Sequence, residues 1–170
     1  SLARLGGSMQ KNNGFTLIEL IVTIAVMAII ATLAAPSFGN LIEKRKLDAE
    51  TRELSFVLSE ARAQATTLRS NVTLKFQHGQ NTSILKYWAP KSENIILDNT
   101  ANDVDFSDVV FTPIGQPLQR TKTIIDPADS STKVVRIPLK FSLCNPEIKQ
   151  SRTISVSMNG TVTSIESGQC

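Results

Sequence analysis

Gly14-Phe15-Thr16-Leu17-Ile18-Glu19-Leu20 opens an apolar run that decides the architecture of this 170-residue chain. Phe15 to Ala35 is 21 residues, and Glu19 is the only charged one among them. As a helix the run extends roughly 31 Å at about 1.5 Å per residue, which matches the hydrocarbon core of a bilayer. A carboxylate at that depth costs roughly 2.5–3.5 kcal/mol on insertion scales, so Glu19 needs a compensating role. Pro36 closes the run and predicts a kink in the helix that carries it.

Beyond Pro36 the chain has no proline until after Arg69, and its only glycine there, Gly39, lies beside Pro36. Leu47, Leu54, Val57, Leu58, Ala61, Ala65 and Leu68 recur at three- and four-residue steps, the pattern of one buried helical face. Between them lie Glu43, Lys44, Arg45, Lys46, Asp48, Glu50, Arg52, Glu53, Glu60 and Arg62, a solvated face of mixed sign. One helix is therefore predicted over residues 15–69, membrane-spanning in its first half and amphipathic from 37 to 69.

After Ser70 the periodicity becomes that of strands. Val72 to Phe76 alternates, and Ser83 to Trp88 is expected to return across a His78-Gly79-Gln80-Asn81 turn. Asn94 to Leu97 reads as a short strand and Val109 to Phe111 as another. Lys133 to Leu143 reads as one longer strand with Pro138 at an edge or bulge. Arg152–Met158 and Thr161–Ile165 form a hairpin about Asn159-Gly160. If Val156 faces Val162, a three-residue loop with Gly160 in the left-handed conformation fits. The fold class is thus α+β, a long helix on an antiparallel β-sheet head over residues 70–170, about 101 residues and enough for one core.

Gly14-Phe15 followed by Thr-Leu-Ile-Glu-Leu, with Pro36 in register, resembles the signal of type IV pilins and type II secretion pseudopilins. The resemblance implies a leader over residues 1–14, cut after Gly14 by a membrane prepilin peptidase that methylates the new amine of Phe15. Met9 to Gly14 alone makes a short basic leader of the pilin kind. It also implies that Glu19 neutralises the terminal amine of a neighbouring subunit, a pairing that a buried carboxylate needs. Leu17, Ile18 and Leu20 then pack against other subunits after facing lipid. Lys11 on the leader side places the N-terminus in the cytoplasm. The implied location is a single pass through the inner membrane with a periplasmic head, and then the pilus tip.

The head resembles the GspH/FimT type. The matching features are a helix end over Leu54–Arg69 that runs into a strand, Phe111-Thr112-Pro113-Ile114-Gly115, and the hairpin at Gly160. Among such proteins the implied function is a minor pilin that primes assembly and joins the tip complex in pilus-dependent motility, adhesion or DNA uptake. Its partners would be other minor and major pilins. The rivals are a minor pseudopilin of type II secretion and a DNA-binding pilin for transformation.

Cys144 and Cys170 are the only cysteines, both in the part expected outside the cytoplasm, where disulfides persist. Their bridge would close a loop of about 26 residues and contribute roughly 3–4 kcal/mol in the chain-entropy model. A redox or metal pair has no CxxC motif or nearby histidine behind it. FimT-like pilins of competent bacteria bind DNA through a Gly-Arg-x-Arg element. The matching positions here are Gly160-Thr161-Val162-Thr163, without either arginine. Lys133, Arg136, Lys140, Lys149 and Arg152 are the candidate substitute patch.

Bulk charge does not point to nucleic acid. The chain carries net +3, and loss of Arg4 and Lys11 with the leader leaves 16 basic against 15 acidic residues, net +1. Nor does any motif point to catalysis or a cofactor. His78 stands beside a turn with no nucleophile motif. Asp98, Asp103, Asp105 and Asp108 invite a calcium loop, but Asp108 and Ile114 occupy the positions where that loop needs glycine and glutamate. Lys44-Arg45-Lys46 looks like a juxtamembrane basic cluster, countered by Glu43 and Asp48.

Overall fold

The computed structural model describes residues 13–100 and 103–170. The leader expectations for residues 1–12, including Arg4, Met9 and Lys11, lie outside the described residues. The chain divides into two compact units, Ser1–Gly39 and Asn40–Cys170.

A single helix, α1 (Leu17–Leu68, 52 residues), begins in the first unit and ends in the second. Pro36 lies inside it. The missing N–H deprives the Thr32 carbonyl of its usual partner, yet the helix continues. The boundary between the units falls three residues later, at Gly39. In the first unit the apolar residues from Phe15 to Leu33 are exposed, and the stretch is long and apolar enough to cross a membrane.

In the second unit α1 buries Leu47, Glu50, Thr51, Leu54, Leu58, Ala61 and Ala65 on one face. Val57 packs partly against the same core, whereas Leu68, expected on that face, is nearly half exposed in the last turn. The helix ends by a Schellman-type closure. Arg69 takes φ +50°, and the Ser70 N–H donates to the Ala65 carbonyl at 3.2 Å.

Among the described residues nine strands follow: β1 (Val72–Lys75), β2 (Leu85–Tyr87), β3 (Ile96–Leu97), β4 (Val109–Phe111), β5 (Arg120–Ile125), β6 (Thr132–Ile137), β7 (Lys140–Asn145), β8 (Gln150–Val156) and β9 (Val162–Gln169). They form a three-stranded sheet of order β2-β1-β4, a four-stranded sheet of order β3-β7-β8-β9, and a β5-β6 ribbon. Both larger sheets feed one core. Val72, Leu74, Val109 and Phe111 come from the first, and Phe141, Leu143 and Ile154 from the second, against Leu47, Leu54, Leu58 and Ala61 of the helix. Each fully buried leucine contributes roughly 1.5–3 kcal/mol by leaving water. Phe76, Phe106 and Phe141 close one side, with ring centroids 4.9–5.8 Å apart.

Two strand expectations need correction, and one strand was not anticipated. β1 and β2 pair parallel, Thr73 opposite Leu85 and Lys75 opposite Tyr87, so they are not a hairpin. The connecting loop folds back on itself. Gly79 lies directly against the Tyr87 ring, and Asn81 Oδ1 accepts the Tyr87 N–H at 2.7 Å. The chain therefore re-enters the sheet in the same direction as it left. Residues 133–143 form two strands, β6 and β7, separated at Pro138, which carries no N–H for a ladder. β5, for which no alternation was apparent, pairs with β6 throughout, from Arg120 opposite Ile137 to Ile125 opposite Thr132.

The closing hairpin forms as expected. Val156 faces Val162, the Ser157 N–H donates to the Thr161 carbonyl, the Gly160 N–H to the Ser157 carbonyl, and Gly160 takes φ +84°. This is a three-residue loop with glycine in the left-handed position. The Cys144–Cys170 disulfide is formed, with Cα atoms 6.0 Å apart, and fixes the residue after β9 to β7. Replacing both cysteines by serine is expected to destabilise the head by about 3 kcal/mol. Denaturant unfolding of the oxidised protein against the double variant measures it, and equal midpoints would contradict it.

Candidate functional site

The first unit holds the candidate processing and assembly residues. Thr16 and Glu19 form a reciprocal cap on α1. The Thr16 N–H and hydroxyl both donate to Glu19 Oε2 at 3.4 Å, and the Glu19 N–H donates to Thr16 Oγ1 at 3.3 Å. Thr16 is thus the N-cap and Glu19 the third helical residue, the arrangement of a capping box. The sequence signal, threonine three residues before glutamate at the head of an apolar run, was present; Thr16 is the residue that sequence reasoning passed over. The cap uses one carboxylate oxygen in long hydrogen bonds, and among the described residues no cation pairs with Glu19.

Gly14 and Phe15 precede the helix, and Phe15 is 83% exposed. A Cβ at Gly14 would meet nothing within 4 Å, and its φ is not in the left-handed range. The fold therefore places no demand for glycine there. No requirement for a small residue at position 14 comes from the described residues. Leu17, Ile18 and Leu20 are also exposed, and none belongs to the buried core among the described residues.

In the second unit, the polar groups of α1 are used to hold the sheets. Arg152 is buried, and its Nε donates to Asp48 Oδ1 at 2.9 Å. Glu43 Oε2 accepts from Asn145 at 2.9 Å, and its Oε1 pairs with Lys46 at 2.9 Å. The Lys46 bond, with that from Asn145, holds the Glu43 carboxyl below its ordinary range. Glu50, also buried, accepts the Lys91 and Ser92 N–H groups at 3.0 Å. Arg62 Nε donates to the Gly115 carbonyl at 3.0 Å and the Asn159 carbonyl at 3.1 Å, tying two turns to the helix.

The five candidate DNA contacts are not assembled into one surface. Arg152 is withdrawn into its ion pair with Asp48. Lys133 and Arg136 are exposed on β6, but an odd separation along a strand puts them on opposite faces of the ribbon. Lys140 begins β7 opposite Ser155, while Lys149 lies beyond the far end of the same pair, next to the Asn145–Gln150 register. The strand geometry separates those last two by roughly 17 Å or more.

The acidic loop is likewise divided among local partners. Asp98 Oδ1 accepts from Thr100, Asp105 Oδ1 from Ser107, and Asp108 pairs with Lys75 at 2.8 Å. Burial works to raise the Asp105 carboxyl, but the Ser107 bonds and the Arg120 and Lys122 cations outweigh it and hold it low. Among the described residues no three acidic, histidine or cysteine side chains converge.

Residues 9–35 match the family described as the prokaryotic N-terminal methylation motif. Prepilin peptidase-dependent protein A of Clostridium perfringens (strain 13 / Type A) is 32% identical over 74 residues, an alignment covering 39% of this chain and 53% of that protein. The chain thus spans about half the length of this curated relative. No solved structure matches it. The methylation motif covers Gly14, Phe15 and Glu19 and runs into the apolar helix that leads to the β-rich head, and on that ground the chain is a type IV pilin-like protein.

Proposed function

We propose that this chain is a minor type IV pilin that primes filament assembly and resides in the tip complex. In this account a prepilin peptidase cuts between Gly14 and Phe15 and methylates Phe15. The helix waits in the inner membrane with its N-terminus cytoplasmic, and Glu19 then pairs with the terminal amine of an adjacent subunit. The methylation motif over residues 9–35 carries the proposal. Two further observations support it. Among the described residues, Gly14 answers no need of the fold and the apolar residues of α1 from Leu17 to Leu33 are left exposed. The small head, held to α1 by internal ion pairs, fits a subunit whose surface faces specific neighbours.

The rival, a minor pseudopilin of type II secretion, shares every part of this chemistry and differs in the complex it joins. Deleting the gene and complementing it with an epitope-tagged copy separates the two. A tip-resident minor pilin predicts several-fold fewer pili on deletion and a label at one filament end. Label along the whole filament, or a secretion defect with normal piliation, would overturn the proposal.

A further inference from the structure

We propose that the free edge of β9 is a docking strand. It accepts an extended acidic segment of a neighbouring pilin subunit, added to the β3-β7-β8-β9 sheet through backbone hydrogen bonds.

β9 is the longest strand and stands last in the sheet order; among the described residues it pairs only with β8. Two hydrogen bonds fix which way its backbone groups point. The Cys170 N–H donates to the Lys149 carbonyl, and the Val156 N–H donates away from β9, to the Leu139 carbonyl. With the register of Ser151 opposite Gly168 and Thr153 opposite Glu166, the residues Ser164, Glu166 and Gly168 turn their backbone groups to β8. Thr163, Ile165, Ser167 and Gln169 therefore present theirs outward, along roughly 20 Å of edge.

Proteins normally blunt such an edge with lysine, proline, shortness or a cover. The other edges of the two larger sheets follow that rule. β3 has two residues and β2 three, and β4 is covered by the Phe111–Pro117 bridge and the Leu118 N–H bond to Val110. The four outward-facing residues of β9 carry no charge and no proline. The disulfide at Cys170 also holds the end of this strand against fraying, so the edge is presented as a rigid template.

The chemistry of the added strand follows from the groove beside the edge. Arg152 lies opposite Ser167, and Ile154 opposite Ile165, so Ile165 and Ser167 share the face of the sheet that carries Arg152 toward the helix. A cavity of about 290 Å³ opens there between β9 and α1, lined by Asp48, Thr51, Arg52, Arg152, Ile165 and Ser167. Asp48 and Arg152 neutralise each other, while Arg52 is exposed and makes no ion pair among the described residues. The lining carries one uncompensated positive charge. An added strand places alternate side chains on this face, and a carboxylate among them meets Arg52. That the occupant belongs to a pilin subunit rests on the function proposed above; strand addition itself is tested on the isolated chain, so it stands or falls separately from the assembly role of Glu19.

The test uses the full chain, isotopically labelled in detergent micelles. The probe is a synthetic peptide of alternating valine and threonine with one central glutamate. Saturable NMR shifts are expected at Thr163–Gln169 and Arg52. Ser167→Pro removes one outward N–H and leaves the β8–β9 bonds in place, so it should keep the melting temperature and weaken binding about three- to tenfold. A peptide with alternate N-methylated amides makes the same comparison from the ligand side and should not bind. Arg52→Gln should weaken the glutamate peptide and leave its glutamine counterpart unchanged. Absence of saturable shifts, shifts located elsewhere, or equal binding of the N-methylated peptide would overturn the proposal.

Discussion

Glu19→Ala is expected to leave cleavage after Gly14 intact and to lower incorporation into filaments by about a hundredfold. Two opposed effects make this informative. For a plain membrane anchor, removing a carboxylate that costs roughly 2.5–3.5 kcal/mol at hydrocarbon depth should be neutral or favourable. For an assembling subunit, the same change strips the partner from a terminal amine buried between helices, and losing one member of a buried ion pair costs about 3–5 kcal/mol. At 1.4 kcal/mol per factor of ten, the lower figure already gives about a hundredfold. Glu19 also caps α1 through Thr16, and that contribution must be separated from the charge. Glu19→Gln does so, because glutamine serves in a capping box but carries no charge. The account predicts that Gln resembles Ala. The ratio of sheared to cell-bound protein on immunoblots reads the result, and wild-type incorporation of Glu19→Gln would assign the role of Glu19 to the cap.

Gly160→Ala is expected to be the most damaging single change in the head, costing about 4 kcal/mol or more. Gly160 takes φ +84°, a conformation that costs an L-residue roughly 1–2 kcal/mol. A Cβ there would also overlap the Gly115 carbonyl oxygen and crowd Arg62 Cδ at 3.0 Å. The overlapped group is backbone, and the same oxygen accepts the Arg62 bond, so neither turn can move without breaking the tie to α1. Losses above 4 kcal/mol are unusual and have a specific cause of this kind. Gly39→Ala is the control: a Cβ there meets nothing within 4 Å. Urea unfolding of the two variants should differ by nearly the whole effect, and similar midpoints would contradict the account.

The sequence announces the helix and the closing hairpin clearly because each follows from a local rule. A three- and four-residue apolar period over Leu47–Ala65 has one buried face as its natural outcome, and Asn159-Gly160 supplies the left-handed residue that a three-residue loop requires. β5 gives no such signal. Five of its six residues are exposed in a two-stranded ribbon, so no apolar alternation marks it. Strand direction was likewise invisible, since the side-chain period is two in either sense. The parallel pairing of β1 and β2 is set by loop contacts at Gly79 and Asn81.

At the site, local chemistry was readable and long-range pairing was not. Thr16, Glu19 and Gly14 lie within six residues of one another, and their pattern can be read directly. Arg152 looked like a surface cation because its neighbours in sequence are polar, but its partner Asp48 is 104 residues away. Burial of that pair removes one cation from the candidate DNA patch, and the alternation of β6 divides two more.

The central claim is that this chain is processed as a pilin between Gly14 and Phe15. Intact-mass and N-terminal peptide spectrometry of the full chain, co-expressed with and without a prepilin peptidase, tests it most directly. The account predicts a mature chain that begins at Phe15 with an N-methyl group and appears only when the peptidase is present. A chain that keeps its leader with active peptidase, or one cut beyond the apolar run near Ala35, would contradict it.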